Sequence, residues 1–142
     1  MEEEGFWRAY AGSQSPSSIL YPFIKGKSIG EILGDLISQG KAPVKEIQEA
    51  LHLLLGEESF IKPANLDLLF ENVIMDGEQA VLIDCEWVKE EGEERLFLLY
   101  RILHYWYEEY KDKLKYKDEE SFFRLFSINK PELLSCERKE AI

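Results

Sequence analysis

The sequence predicts an α+β domain, mostly helical, with β-hairpins at two places. Three observations carry that prediction. Apolar residues recur at helical spacing in three stretches, 29–37, 44–55 and 96–110. Two pairs of short apolar or aromatic runs flank turn-forming clusters, GSQSPSS near the start and DGEQ in the middle. At 142 residues, 45% hydrophobic and 13% aromatic, the chain is also long and apolar enough to bury one packed core.

Phe6 to Tyr10 and Ile19 to Ile24 read as two strands of a small hairpin around GSQSPSS. KGKS follows, where Ser28 can cap a helix and Glu31, three residues on, completes a capping box. Ile29, Ile32, Leu33, Leu36 and Ile37 form the apolar stripe of that helix, and Gly40 ends it. Pro43 opens a second helix with the stripe Val44, Ile47, Leu51, Leu54 and Leu55, stopped by Gly56. Phe60 to Leu66, with Pro63, reads as irregular chain. Val73 to Met75 and Ala80 to Ile83 pair as a hairpin, because the Asp-Gly of DGEQ favours a tight turn. KEEGEE, residues 89–94, is expected to be a solvated acidic loop. A long helix from Glu94 to Lys113 turns Leu96, Leu99, Tyr100, Leu103, Tyr107 and Tyr110 inward and leaves Arg101, Glu108 and Lys111 to water. A short helix, Glu119 to Phe126, precedes NKPELL and a charged tail expected to fray.

Charge narrows the partners. The net charge of −11, from 28 acidic against 17 basic residues, works against nucleic acid and against anionic lipid. ATP can still bind, provided Mg²⁺ supplies the positive charge. MEEEGFWRAY is acidic where a secretory leader would be basic, and no run approaches a membrane span. Cys85 and Cys136 form no CxxC pair and read as reduced thiols. The expectation is a soluble, cytoplasmic, single domain.

GKS at Gly26 to Ser28 is a decoy. A phosphate-binding P-loop needs a glycine five residues before Gly26, and that position is Tyr21. The segment Asn65 to Trp87 carries more. Phosphoryl transfer from ATP demands one carboxylate where the acceptor hydroxyl arrives and further oxygen ligands that hold Mg²⁺ on the phosphates. Asp67-Leu-Leu-Phe-Glu-Asn72 has the D-x-x-x-x-N spacing for this, a hairpin follows, and Asp84 closes its second strand.

NVIMDGEQAVLIDCEW resembles the aminoglycoside phosphotransferase and lipopolysaccharide kinase branch of the protein-kinase-like fold, in which the metal-binding Asp precedes an aromatic-acidic pair. SILYPFIKGKSIGEIL is similar to the hinge strand and first large-lobe helix of the same branch. The resemblance implies a single, truncated kinase-like domain over 1–142: the end of the small lobe and hinge at 6–27, the large lobe at 28–127, and a tail at 128–142. It further implies Asp67 as catalytic base, Asn72 and Asp84 as Mg²⁺ ligands, and backbone near Tyr21 and Phe23 facing the adenine of ATP. Departures accompany it. The positions before Asp67 are Asn65 and Leu66 rather than a His or Tyr with Arg, and Leu69 replaces a basic residue. No Gly-rich loop or phosphate-gripping strand Lys is present; Lys25 and Lys27 fall in the hinge.

Three functional expectations therefore stand together. The chain is a piece of a larger bacterial protein of cell-surface polysaccharide biosynthesis, similar to kinase-like segments found beside glycosyltransferase or methyltransferase domains, with a remnant ATP/Mg²⁺ site inactive by itself and a small-molecule or sugar acceptor. Or it is a non-catalytic interaction module of such an enzyme. Or it is an unrelated helical binding domain, which would lack a hairpin between Asn72 and Asp84. Completion by the rest of a parent chain or by a partner is implied, and apolar small-lobe strands left bare would also serve a homodimer. His104, Trp106, Tyr105 and Tyr107 read as packing residues, His52 as partly exposed, and Cys85 as structural. Glu86 either assists the metal or pairs with a basic residue such as Arg101.

Overall fold

The computed structural model describes residues 27–76, 79–83, 87–114 and 118–141. The strands expected at 6–10 and 19–24, with Tyr21 and Phe23, lie outside the described residues, as do Asp84, Cys85 and Glu86. In chain order the elements are α1 (Ile29–Ser38), α2 (Val44–Leu55), β1 (Phe60–Ile61), β2 (Ala64–Asn65), a 3₁₀ turn (Phe70–Asn72), β3 (Val73–Asp76), β4 (Gln79–Leu82), β5 (Val88–Lys89), β6 (Glu93–Glu94), α3 (Arg95–Tyr110), α4 (Glu119–Arg124) and α5 (Lys130–Glu140). The architecture is α+β, with the strands in three antiparallel pairs. No helix among the described residues is long and apolar enough to cross a membrane.

The start of α1 follows its sequence signal. Ser28 Oγ accepts from the Glu31 amide, and Glu31 returns the bond to the Ser28 amide, both at 3.1 Å. Ser28, the last residue of the GKS decoy, is thus the N-cap of a helix. The same segment is tied to the central hairpin, because the Met75 amide donates to the Lys27 carbonyl at 3.0 Å. Gly34 of α1 sits where a Cβ would collide with the end of the Tyr110 ring of α3, so the ring occupies the space that the missing side chain leaves.

α3 is the axis of the core. Phe97 to Leu103 are buried without interruption, and Trp106 and Tyr107 extend the buried surface. A helix covered nearly all round must be enclosed by other elements, and α2, α4, α5, β6 and the 3₁₀ turn supply the cover, with α1 reached through Trp106. Trp106 donates to the Gly30 carbonyl at 3.2 Å and stacks on Phe122 at 6.0 Å, while Tyr100 stacks on Phe123 at 5.5 Å. Each such aromatic pair adds about 0.5–1.5 kcal/mol beyond its buried area.

Several expectations are corrected. α3 runs from Arg95 to Tyr110 rather than from Glu94 to Lys113, with Lys111 to Lys113 in a turn. Arg101 is not left to water but buried, 6% exposed, because α5 closes over that side of α3. Phe60 to Leu66 is not irregular, and KEEGEE is not a free loop. The two segments pair antiparallel, Phe60 opposite Glu94, Ile61 opposite Glu93, Ala64 opposite Lys89 and Asn65 opposite Val88. The tail does not fray through 130–140: Asn129 and Glu132 form a second capping box, and Leu133 and Cys136 bury one face of α5. Trp106 and Tyr107 are core residues as expected, whereas Tyr105 is 38% exposed.

Glu93, 3% exposed, shows why β5 and β6 hold. Its carboxylate accepts from Lys89 at 3.0 Å, from the Glu94 amide at 2.9 Å and from Lys139 of α5. Burial alone would raise its pKa, but these donors hold the carboxyl below the ordinary range.

α3 and α4 are joined by His104, whose Nδ1 lies 2.6 Å from Glu119 Oε1. That bond raises the His104 pKa above 6.5, outweighing the opposing effect of burial. The imidazolium is thus favoured in the folded chain, and its stabilisation is complete below about pH 6.5 and lost as pH rises through the raised folded value. Urea midpoints of the wild type and Glu119→Gln should therefore converge as pH is raised from about 6 to about 9. A pH-independent difference would contradict the pairing.

Candidate functional site

The loop from Asn65 to Asn72 is built by short-range bonds. Asn65 Oδ1 accepts from the Asp67 amide at 2.9 Å, an Asx turn that reverses the chain after β2. The Asp67 carbonyl then accepts from the Leu69 amide and from Asn72 Nδ2, each at 2.9 Å. The five-residue spacing of Asp67 and Asn72 thus closes into a ring of chain with an Asn side chain as its clasp. Phe70, 1% exposed, pins that ring to the core edge-on to Trp106 of α3, with centroids 6.5 Å apart.

The chain that returns from the hairpin is fastened to the same loop. A hairpin forms where the sequence places one, but the ladder runs from Val73 opposite Leu82 to Asp76 opposite Gln79, one residue further into DGEQ on each side than expected and ending before Ile83. The Ile83 amide donates to the Asn72 carbonyl at 2.8 Å, and the Trp87 amide donates to Asp67 Oδ2 at 2.6 Å. Residues on both sides of 84–86 are therefore held to the loop, one at Asn72 and one at Asp67.

Arg101 braces this assembly from below. Its Nη2 donates to the Leu66 carbonyl at 3.0 Å, and its Nη1 meets both oxygens of Glu140 at 2.5 and 2.6 Å. The guanidinium carbon lies 5.5 Å from the Trp87 ring centroid and 5.4 Å from that of Tyr105. Tyr105 Oη donates to Glu140 at 2.6 Å, which raises the phenol pKa. The carboxylate partner of Arg101 is thus Glu140, from the tail. Glu86 stays outside the described residues.

An open cleft of about 540 Å³ adjoins the loop, with Leu66, Trp87, Lys89, Phe97, Arg101 and Glu140 in its wall. Its wall includes the neighbour of Asp67 and the donor to its carboxylate, though not Asp67 itself. Trp87 is 57% exposed beside it, and Val88 is 45% exposed.

Of the residues singled out in the sequence, Asp67 and Asn72 are brought together. Asn72 Nδ2 is committed to the Asp67 carbonyl, which leaves the amide oxygen as its group for a cation. An amide oxygen is a hard donor of the kind Mg²⁺ accepts, while the Asp67 carboxylate accepts from the Trp87 amide. Asp84, Tyr21 and Phe23 belong to the residues not described. His52 is exposed, and Cys136 is buried with its thiol pushed up to about 11 by desolvation, unsuited to nucleophilic work. Sequence reasoning offered Arg101 only as a partner for Glu86, and missed Glu140 and the Trp87 amide. Only the Asn129–Glu132 cap before Glu140 carried a readable signal. Comparison of the chain with protein-family models, with curated proteins and with solved structures found no match.

Breaking a buried ion pair on one side leaves the other charge uncompensated, at about 3–5 kcal/mol when burial is complete. Glu140 is 20% exposed, so Glu140→Ala should cost somewhat less, about 2–3 kcal/mol by urea denaturation. Tyr105→Phe removes only one neutral donor and should cost about 1 kcal/mol. Equal costs for the two variants would refute the Arg101–Glu140 brace.

Proposed function

We propose that the chain is the large-lobe part of a kinase-like phosphotransferase, carrying the acceptor-side and metal-side residues of an ATP/Mg²⁺ site and no turnover by itself. The observation that carries this reading is the clasp between Asn72 and Asp67, with Ile83 and Trp87 fastened to the same two residues. In the reaction this supports, an acceptor hydroxyl attacks the γ-phosphorus of ATP, its bond to the β,γ-bridging oxygen breaks, and ADP leaves. Asp67 accepts the hydroxyl proton. Asn72 and Asp84 would hold Mg²⁺, which when bound neutralises the phosphate charge. The cleft beside Leu66 and Trp87 offers the acceptor an approach, and a sugar or other small hydroxyl compound suits its mixed polar and aromatic wall. Tyr21 and Phe23 are the positions assigned to adenine. The phosphate-gripping half comes from the rest of a longer chain or from a completing partner.

The alternative reading is a non-catalytic module that uses this surface for protein contact. The engagement of Asp67 Oδ2 by the Trp87 amide, together with exposed Trp87, Val88 and Phe60, favours it. The paired strands between Asn72 and Ile83 weigh against an unrelated helical domain lacking a hairpin.

Thermal unfolding with Mg²⁺ plus ATP, with Mg²⁺ alone and with neither separates the readings. A native-state ligand at a hundredfold excess over Kd adds about 2.7 kcal/mol of stability. The kinase-like reading predicts a rise in Tm that needs both Mg²⁺ and ATP and disappears in Asp84→Asn. No shift at millimolar nucleotide transfers the weight to the module reading, and ATP turnover by the purified chain would overturn its inactivity.

A further inference from the structure

His104, Glu108 and Glu119 converge where α3 meets α4. His104 and Glu108 stand four residues apart on α3, on one face of the helix, and Glu119 opens α4 against them. One ligand-capable atom from each lies within 4.8 Å of the other two. The His104–Glu119 bond accounts for two members of the group. Glu108, whose exposed carboxylate also accepts from Lys111 at 3.1 Å, brings a second carboxylate to the same point.

We propose that this trio is a binding site for one borderline divalent cation of the Zn²⁺ class, with His104 Nδ1 and an oxygen from each glutamate as ligands and water completing the tetrahedron. Four features support the assignment. First, an imidazole nitrogen with two carboxylates suits Zn²⁺, whereas Mg²⁺ prefers oxygen alone. Second, three ligand atoms around a tetrahedral Zn²⁺ stand about 3.3 Å apart, from bonds of about 2.0–2.1 Å. The His104–Glu119 pair at 2.6 Å has only to open by a fraction of an ångström, and the exposed Glu108 swings inward. Third, the imidazole is already oriented. It stacks on Tyr100 at 5.3 Å and meets Tyr105 edge-on at 5.1 Å, which lowers the entropy lost on coordination. Fourth, the site is electronegative, with Glu108, Glu119 and Glu140 all acting on His104. On binding, the Nδ1 proton shared with Glu119 passes to solvent, and the metal replaces it as the bridge between the helices.

This site is separate from the ATP/Mg²⁺ reading, and neither depends on the other. The test is calorimetric titration of the purified chain with ZnCl₂ in chelator-treated buffer, with Co²⁺ absorption as a report of N/O tetrahedral coordination. The expected result is one ion per chain and a Zn²⁺-dependent rise in Tm. Glu108→Gln should lower the metal-free Tm only slightly, since its ion pair with Lys111 is exposed and it lies outside the His104–Glu119 bond, yet weaken Zn²⁺ binding by about tenfold or more. His104→Ala should abolish it. Absence of one-to-one binding, or a Glu108→Gln variant that binds Zn²⁺ as tightly as the wild type, would overturn the proposal.

Discussion

The buried guanidinium of Arg101 is the constraint around which the lower half of the molecule is arranged. Removing an ion from water costs several kcal/mol even after relaxation, so a cation 8% exposed at its side chain persists only with strong partners. Here three come from separate parts of the chain, the Glu140 carboxylate of α5, the Leu66 carbonyl beside Asp67 and the ring of Trp87, and a fourth, the Tyr105 ring, from its own helix. Binding its two terminal nitrogens brings the tail helix and the loop together under the Trp87 ring, while the buried Nε has no hydrogen-bond partner among the described residues.

That meeting explains why such small sheets are stable. Strand pairs of two residues have little strength of their own. β1 and β2 hold β6 and β5 because Glu93 and Lys139 tie them to α5, and Arg101 ties α5 to the loop. The loop is held from above by Phe70 against Trp106 and from within by the Asn72 clasp. Asp67 and its neighbours are thus restrained by several independent contacts.

Much of this was legible in the sequence where the determinants are local. The Ser28–Glu31 capping box, the helical stripes of α1 and α2, and the Asp-Gly hairpin each arise from residues within a few positions of one another. The spacing of Asp67 and Asn72 was legible too, and the bond between them gives it a physical reason. The misses share a different character. Two-residue strands are too short to show alternation, so 60–65 and 88–94 read as loops. Arg101 looked solvent-facing because its partner lies 39 residues away, in a tail whose charge masked its cap. Glu93 looked solvated for a similar reason, since besides the nearby Lys89 its second lysine partner, Lys139, is 46 residues away.

The central claim is that the loop and the end of the hairpin serve one divalent cation with nucleotide. The most direct measurement is paramagnetic broadening of backbone amide signals by Mn²⁺, titrated in the presence of ATP. The account predicts that signals of Asp67, Asn72 and Ile83 broaden together at substoichiometric Mn²⁺, ahead of those from the acidic surface elsewhere. Broadening confined to other acidic groups, with Asp67 and Asn72 left sharp, would contradict it.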